Sequence, residues 1–245
     1  MASTTAALLL GLGLLGSSCS TAAAATTSNL RAAPAPQLEA PDCKNKPLMY
    51  PSVCCYATAP AAFNVTFTTT VGGNSSFTIA IDRSASPYGA DRFYNLAKCG
   101  YFSNGNGNEP AGFFRVVTGF VVQFGIAGAP SVSNVWENLI IPNDPVKMSN
   151  VRGTIAYAAV MDNNNQAVNR TTQVYINYAD NSSLDGMGFT PFGTVIGDGM
   201  TTVVDKIYAG YAQDPDQDTI YSEGDAYLKK NYPKLDYITA TVVEA

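Results

Sequence analysis

Apolar and polar positions along the chain mark out short strands more often than helices. From Phe63, a run rich in Thr, Val and Phe (64–70) is followed by Gly72 and Gly73 and then by 75–82, which predicts a β-hairpin with a glycine turn. Residues 91–98 carry Phe93, Leu96 and Ala97 at helical spacing, with Gly100 as a stop just beyond. A second helix is expected over 200–209, where Met200, Val203, Val204 and Ile207 share one side and Gly210 ends the element. Residues 237–243 read as a closing strand. Many short strands with two widely separated helices predict a mainly β fold, a closed antiparallel barrel capped at its ends by two α-helices.

The run at 113–125 departs from simple apolar patterning. It reads Phe-Phe-Arg-Val-Val-Thr-Gly-Phe-Val-Val-Gln-Phe-Gly, so Arg115 and Gln123 interrupt an otherwise apolar, strand-forming stretch. An even separation would put both on one face of an unbroken strand, and Gly119 predicts a bulge or bend between them. Such an arginine is either a strand-end cation whose stem covers apolar neighbours or a functional group set among them.

Composition narrows the chemistry. The 245 residues are 46% hydrophobic and 13% charged, enough apolar material for one large domain. A net charge of -5, without clustered Lys and Arg, argues against a nucleic-acid footprint. The chain has no histidine. That excludes Ser-His-Asp and Cys-His catalysis, histidine zinc sites and an imidazole pH switch.

The N-terminus divides from the rest. Residues 1–25 read as an export signal, with a short apolar core at 6–15 and small residues after it, too short to span a bilayer. Residues 26–60 form an Ala/Pro-rich linker and a Cys-containing extension, and 61–245 the globular domain. Beyond the signal lie Cys43, Cys54, Cys55 and Cys99, an even number suited to an oxidising compartment. Either Cys54 or Cys55 pairs with Cys43 and the other with Cys99. Sequons at Asn64, Asn74, Asn169 and Asn181 also suit a secretory route. The run 214–218 begins like a calcium loop, but Thr219 stands at the glycine position, so a surface turn is expected and no metal site.

The 113–125 run resembles the signature of the cyclophilin-type peptidyl-prolyl cis-trans isomerases. Further stretches agree in order and spacing. Residues 87–96 resemble the family's first helix, 152–158 its groove-lining strand, and Thr172-Gln173-Val174-Tyr175-Ile176 another of its strands. Leu184-Asp185 and 192–196 follow in place, so the resemblance covers roughly 61–245.

This resemblance implies a closed eight-stranded barrel and assigns roles residue by residue. Arg115 would be the catalytic residue and Gln123 would orient it. Phe120, Val121, Tyr175 and Phe189 would form an apolar proline pocket with Leu184 at its rim, and Phe114 would stand where the family often has His. Gln173 and the backbone at Ala158 and Ala159 would contact the flanking peptide. Rotation about an X-Pro bond breaks amide resonance, so a fixed guanidinium donor suffices, without cofactor or metal. Partners would be proline-containing segments of secretory-pathway or extracellular proteins, met by a monomer. Departures are Thr118, Val121 and Tyr175 where the family often has Pro, Met and Phe, and no Trp near Leu184, which implies weak cyclosporin binding. The added Tyr175 hydroxyl would hinder turnover if unpartnered. That leaves a non-catalytic peptide-binding module on the same groove as the alternative.

Overall fold

The computed structural model describes residues 47–49, 55–105 and 108–245. The expected signal, most of the extension, and Cys43 and Cys54 lie outside the described residues. The predicted hairpin is present: β1 (Ala62–Thr69) pairs with β2 (Ser76–Asp82) from Ala62↔Asp82 to Thr68↔Ser76. Its alternation buries Phe63, Val65 and Phe67 on one strand and Phe77, Ile79 and Ile81 on the other. The ring of Phe67 lies 5.4 to 6.0 Å from those of Phe77, Phe93, Phe102 and Phe124, which makes it the centre of the aromatic core.

Phe93 reaches that core from α1 (Pro87–Lys98), which buries the predicted stripe of Phe93, Leu96 and Ala97. The helix starts a turn earlier than its periodicity indicates. Pro87 is compatible with a first turn, and the cap comes from far along the chain. The Asp144 carboxylate accepts from the Tyr88 and Gly89 amides at 3.2 and 3.0 Å and from Ser86 Oγ at 2.6 Å. Arg170 Nη2 pairs with the same carboxylate at 3.0 Å, and both side chains are only 2% exposed.

The main sheet adds β3 (Arg115–Val117), β4 (Val121–Phe124), β5 (Thr154–Tyr157), β8 (Val174–Asn177), β9 (Pro191–Ile196) and β10 (Ile238–Glu244). A small separate ladder joins β6 (Val160–Met161) to β7 (Ala167–Val168). The eight strands run β10-β1-β2-β9-β5-β8-β4-β3, every pair antiparallel. The result is a curled sheet rather than the expected closed barrel. Its outer strands β10 and β3 do not pair along their lengths. The segments leading into them meet at the bridge Gly112↔Tyr237, with Phe113 N donating to Asp236 O and Ile238 N to Ala111 O, each at 3.0 Å.

Helical content also differs from expectation. The helix expected over 200–209 is broken into α3 (Gly199–Thr202) and a 3-10 turn, Val204–Lys206. Four β-branched residues in a row, with Thr201 and Thr202 hydroxyls both bonded to Asp198 O at 3.0 Å, weaken a continuous helix. Three seven-residue helices, α2 (Pro130–Trp136), α4 (Gln217–Glu223) and α5 (Asp225–Asn231), are too short to give a clear apolar period. In the calcium-like run, Asp216 caps α4 by accepting from Thr219 N at 2.8 Å. No metal-holding cluster occurs among the described residues.

The cysteine pairing open in the sequence is decided for two positions: Cys55 bonds Cys99, with Cα atoms 6.2 Å apart and a sequence separation of 44. Cys99 caps the C-terminus of α1, so the bridge fastens the extension to that helix. Closing a loop of this length stabilises the folded state by about 4 kcal/mol on chain-entropy grounds. Cys99→Ser should therefore lower unfolding free energy by about 2 to 4 kcal/mol, read from urea melts of wild type and variant. An unchanged midpoint would refute that role for the bridge.

Candidate functional site

The run around Arg115 is not one strand but a hairpin. Gly119 takes φ +75 in a turn closed by Phe120 N donating to Val117 O at 2.9 Å, a backbone state that glycine adopts without penalty. Folding back makes Arg115 and Gln123 direct cross-strand partners. Their shared face thus comes from register rather than from even spacing along one strand. The row continues Arg115↔Gln123↔Tyr175↔Ala156 across β3, β4, β8 and β5. Side chains in such a row point to one side of the sheet. Gly125 permits the close approach at the end of β4, since a Cβ there would lie 2.5 Å from the Thr172 carbonyl oxygen.

Arg115 is 7% exposed. Its Nη1 donates to Gln123 Oε1 at 3.2 Å, and its Nη2 to Gln213 Oε1 at 3.4 Å. The guanidinium carbon sits 5.9 Å from the centre of the Phe120 ring. No carboxylate lies within ion-pair distance of it among the described residues. Burial lowers its pKa, yet a guanidinium remains charged at any working pH. Because Gln123 accepts from the cation, its amide must donate elsewhere. Nε2 donates to Gln173 Oε1 at 2.7 Å, and Gln173 Nε2 to the Tyr221 hydroxyl at 3.1 Å. The relay sets the orientation of each amide in turn.

Beside the cation lies a separate apolar cluster of Val121, Ala156, Ala158, Ala159, Ala167, Tyr175, Leu184 and Phe189, with Phe120 packed against it. The residues expected to form the proline pocket are therefore together, and Gln173 joins them through Gln123. Ala158 N donates to Gln173 O at 3.0 Å, fixing the adjoining backbone. Phe114 does not join them. It lies just before β3, outside the strand, and is buried with Ile126, Ile220, Leu228 and Leu235 under the C-terminal helices. The chain's single tryptophan, Trp136, is in the main core, its indole donating to Leu48 O at 3.0 Å. A cavity of about 350 Å³ at the turn end of the hairpin, bounded by Thr118, Gly119, Arg152, Asp205 and Ile207 among others, contains none of the expected residues.

The Tyr175 hydroxyl is partnered. It donates to Asn150 Oδ1 at 2.8 Å, and burial raises its pKa well above the ordinary value, so it remains a neutral donor. Asn150 Nδ2 donates to Asp185 Oδ1 at 2.7 Å and to Phe189 O at 2.9 Å. For Asp185, burial pushes the carboxyl up, but hydrogen bonds from Ser149 and Asn150 outweigh it and hold the pKa below the usual range. Its contribution to stability is thus complete above the unfolded value of about 3.9 and lost as pH falls through the folded value. Asn150, Gln213 and Tyr221 escape sequence reading, since each is an ordinary polar residue in a polar run and meets the site only through the fold.

These features define the class: a curled β-sheet that seats a buried cation against an apolar cluster. The family model for cyclophilin type peptidyl-prolyl cis-trans isomerases matches residues 65–223. Peptidyl-prolyl cis-trans isomerase A of Dickeya dadantii (strain 3937) is 31% identical over 159 residues, 61% of this chain and 73% of that protein. Two crystal structures of a Cryptosporidium parvum cyclophilin-type isomerase align with TM-scores of 0.47. The first shows 18% identity over 75% of this chain and 98% of that one. The second, determined in the presence of the dipeptide Ala-Pro, shows 17% over 74% and 99%. The chain belongs to the cyclophilin family and is a peptidyl-prolyl isomerase.

Asn150→Ala would strand the Tyr175 hydroxyl and the Phe189 carbonyl in the pocket wall. A loss of about 3 kcal/mol in unfolding free energy is expected, larger than for Tyr175→Phe, which removes donor and demand together. Equal effects of the two substitutions in denaturant titrations would contradict the network.

Proposed function

We propose that Arg115 catalyses rotation of X-Pro bonds in secretory-pathway or extracellular proteins, with the proline ring seated among Phe120, Val121, Tyr175, Leu184 and Phe189. The observation that carries this reading is a buried guanidinium bound only to neutral acceptors beside that apolar cluster. Rotation opposes a barrier of about 18 to 20 kcal/mol because the prolyl nitrogen shares its lone pair with the carbonyl. As the bond twists, the lone pair localises on nitrogen and becomes an acceptor. Arg115 has more N–H donors than its two acceptors consume, so it can donate to that nitrogen when resonance is broken. Such a contact favours the transition state over the planar ground state.

Gln123 holds the guanidinium plane, while Gln173 and the backbone at Ala158 and Ala159 offer polar contacts to the flanking peptide. Backbone recognition of an extended segment accommodates many sequences, which suits clients of varied sequence. The partnered Tyr175 hydroxyl supports turnover over a non-catalytic module. Leu184 supplies a rim without an indole, in keeping with weak cyclosporin binding. The Cys55–Cys99 bridge supports an oxidising compartment. No described helix is long and apolar enough to cross a membrane.

Exchange NMR on an Ala-Pro tetrapeptide tests the mechanism without a coupled protease. Arg115→Ala should reduce kcat/KM about 100- to 1000-fold, and Arg115→Lys should not restore it, because an ammonium cannot reproduce the planar fork. With Arg115 charged and Tyr175 neutral, wild-type kcat/KM should be level between about pH 6 and 9. A sigmoidal step in that interval, or an active Arg115→Ala protein, would remove Arg115 from its proposed role.

The secretory route has its own test. Asn74 and Asn169 are exposed at positive φ, whereas Asn181 donates its amide to Phe120 O at 2.9 Å and Asn177 Oδ1 at 2.7 Å. Expressed with its own N-terminus in a eukaryotic secretory host, the protein should carry glycans at Asn74 or Asn169 and none at Asn181, as mapped by mass spectrometry after enzymatic deglycosylation. Retention in the cytosol without any glycan would defeat the secretory assignment.

A further inference from the structure

We propose that Gln213 is a positioning residue for Arg115, a second carboxamide tether delivered from the segment that precedes α4. The inference rests on the catalytic reading of Arg115 and extends it to a part of the chain 98 residues away in sequence. The first observation is the contact itself: Gln213 Oε1 accepts from Nη2 while Gln123 Oε1 accepts from Nη1. Two acceptors on different terminal nitrogens fix the plane of a guanidinium, whereas one leaves it free to swing about the shared bond.

The second observation is that the backbone before Gln213 is held in a conformation its sequence does not favour. Ala212 has φ +47, in the left-handed region that a β-carbon disfavours. Its carbonyl accepts from Val116 N at 2.8 Å, so the residue before Gln213 is bonded to the residue after Arg115. The third observation is the anchoring around this turn. Tyr211 packs its ring 5.1 Å from those of both Tyr208 and Tyr232, Asp214 N donates to Tyr211 O at 2.9 Å, and the Tyr232 hydroxyl donates to Asp214 O at 3.1 Å. A strained residue bonded to the catalytic strand and flanked by anchored neighbours delivers one side chain to one atom. Gln213 is itself exposed to solvent, so its position comes from this anchoring of the backbone and not from burial.

Gln213 is neutral, and that is part of its role. A carboxylate at the same distance would pair with the cation and compete with the prolyl nitrogen for its donors, while a carboxamide orients the guanidinium and leaves its charge uncompensated. The tether contact, at 3.4 Å, is longer than a usual N–H···O bond, so Gln213 orients the guanidinium without drawing off a strong hydrogen bond from it.

The test uses the full chain and an Ala-Pro tetrapeptide in exchange NMR, with Gln213→Ala, Gln213→Glu and Arg115→Ala beside wild type. Gln213→Ala should lower kcat about tenfold with KM within twofold, shift the Arg115 Nε–Hε resonance, and leave the thermal midpoint unchanged. Gln213→Glu should be slower still at low ionic strength and recover partly with added salt. A raised KM with unchanged kcat would make Gln213 a substrate contact and overturn the positioning role. So would wild-type kinetics, or an Arg115 resonance that does not move. If Arg115→Ala itself retains activity, the catalytic reading fails, an outcome distinct from normal turnover in Gln213→Ala beside a dead Arg115→Ala.

Discussion

A guanidinium buried without a carboxylate is the constraint around which the groove is arranged. Taking a cation out of water is expensive, and a folded chain normally offsets this with an opposite charge. Arg170 follows that rule, meeting Asp144 at 3.0 Å in an interior where neither side chain is more than 2% exposed. Arg115 does not. It is surrounded by carboxamide oxygens and the face of a phenylalanine ring, partners that accept its N–H groups or attract its charge without cancelling it. The two arginines show the same chemistry put to different ends. One cation is neutralised to hold structure, and the other is left without a counter-charge among the described residues, which on the proposed mechanism would let a developing acceptor compete for it.

Several features of the fold follow from that requirement. Neutral acceptors must be aimed, because an amide turned about presents a donor instead. The relay from Gln123 through Gln173 to the Tyr221 hydroxyl aims them, each amide fixed by the next. The cross-strand row from Arg115 to Ala156 brings the cation to the edge of the apolar cluster, and Asn150 seals the opposite wall by taking the Tyr175 hydroxyl and the Phe189 carbonyl into one network. The arginine that is paired has a supporting part here too. Through Asp144 it caps α1, whose Phe93 packs against the aromatic core beneath the sheet.

The elements legible in the sequence were those whose information is local. The β1–β2 hairpin needed only alternation and two glycines, and the α1 stripe only its spacing. The residues expected of the site could be nominated because the family motif keeps them in order along the chain, and several of them, among them Val121, Tyr175, Leu184 and Phe189, do meet in one apolar cluster. What escaped notice depends on contacts between distant segments. Gly119 was readable as a break, but whether it bends one strand or reverses the chain is settled by pairing with β8. Phe114 sits in the motif yet is buried elsewhere, because the segment before β3 leaves the sheet and turns it under the C-terminal helices. Asp144 as a helix cap, Asn150 as a hub and Gln213 beside Arg115 carry no local signal, since each is an ordinary polar residue until another part of the chain arrives. The short helices near the C-terminus were hidden for another reason: seven residues complete too few turns to display a period.

A chain without histidine gives up the usual means of moving protons near neutral pH, and proline isomerisation is among the reactions that do not need one. No bond to hydrogen is made or broken in the rotation, and the group whose character changes is a nitrogen lone pair. On the mechanism proposed for Arg115, the protein's task would be to hold a permanent cation where that lone pair appears and to keep competing anions away from it. A carboxylate close enough to stabilise the folded cation would also be close enough to claim it, so stability and turnover make opposing demands on the same atom. Glutamine side chains at the two terminal nitrogens resolve that opposition, because the dipole of an amide fixes direction while leaving net charge intact. On the proposed mechanism, the fold tolerates a less stable buried arginine in exchange for one whose donors would remain available to a substrate.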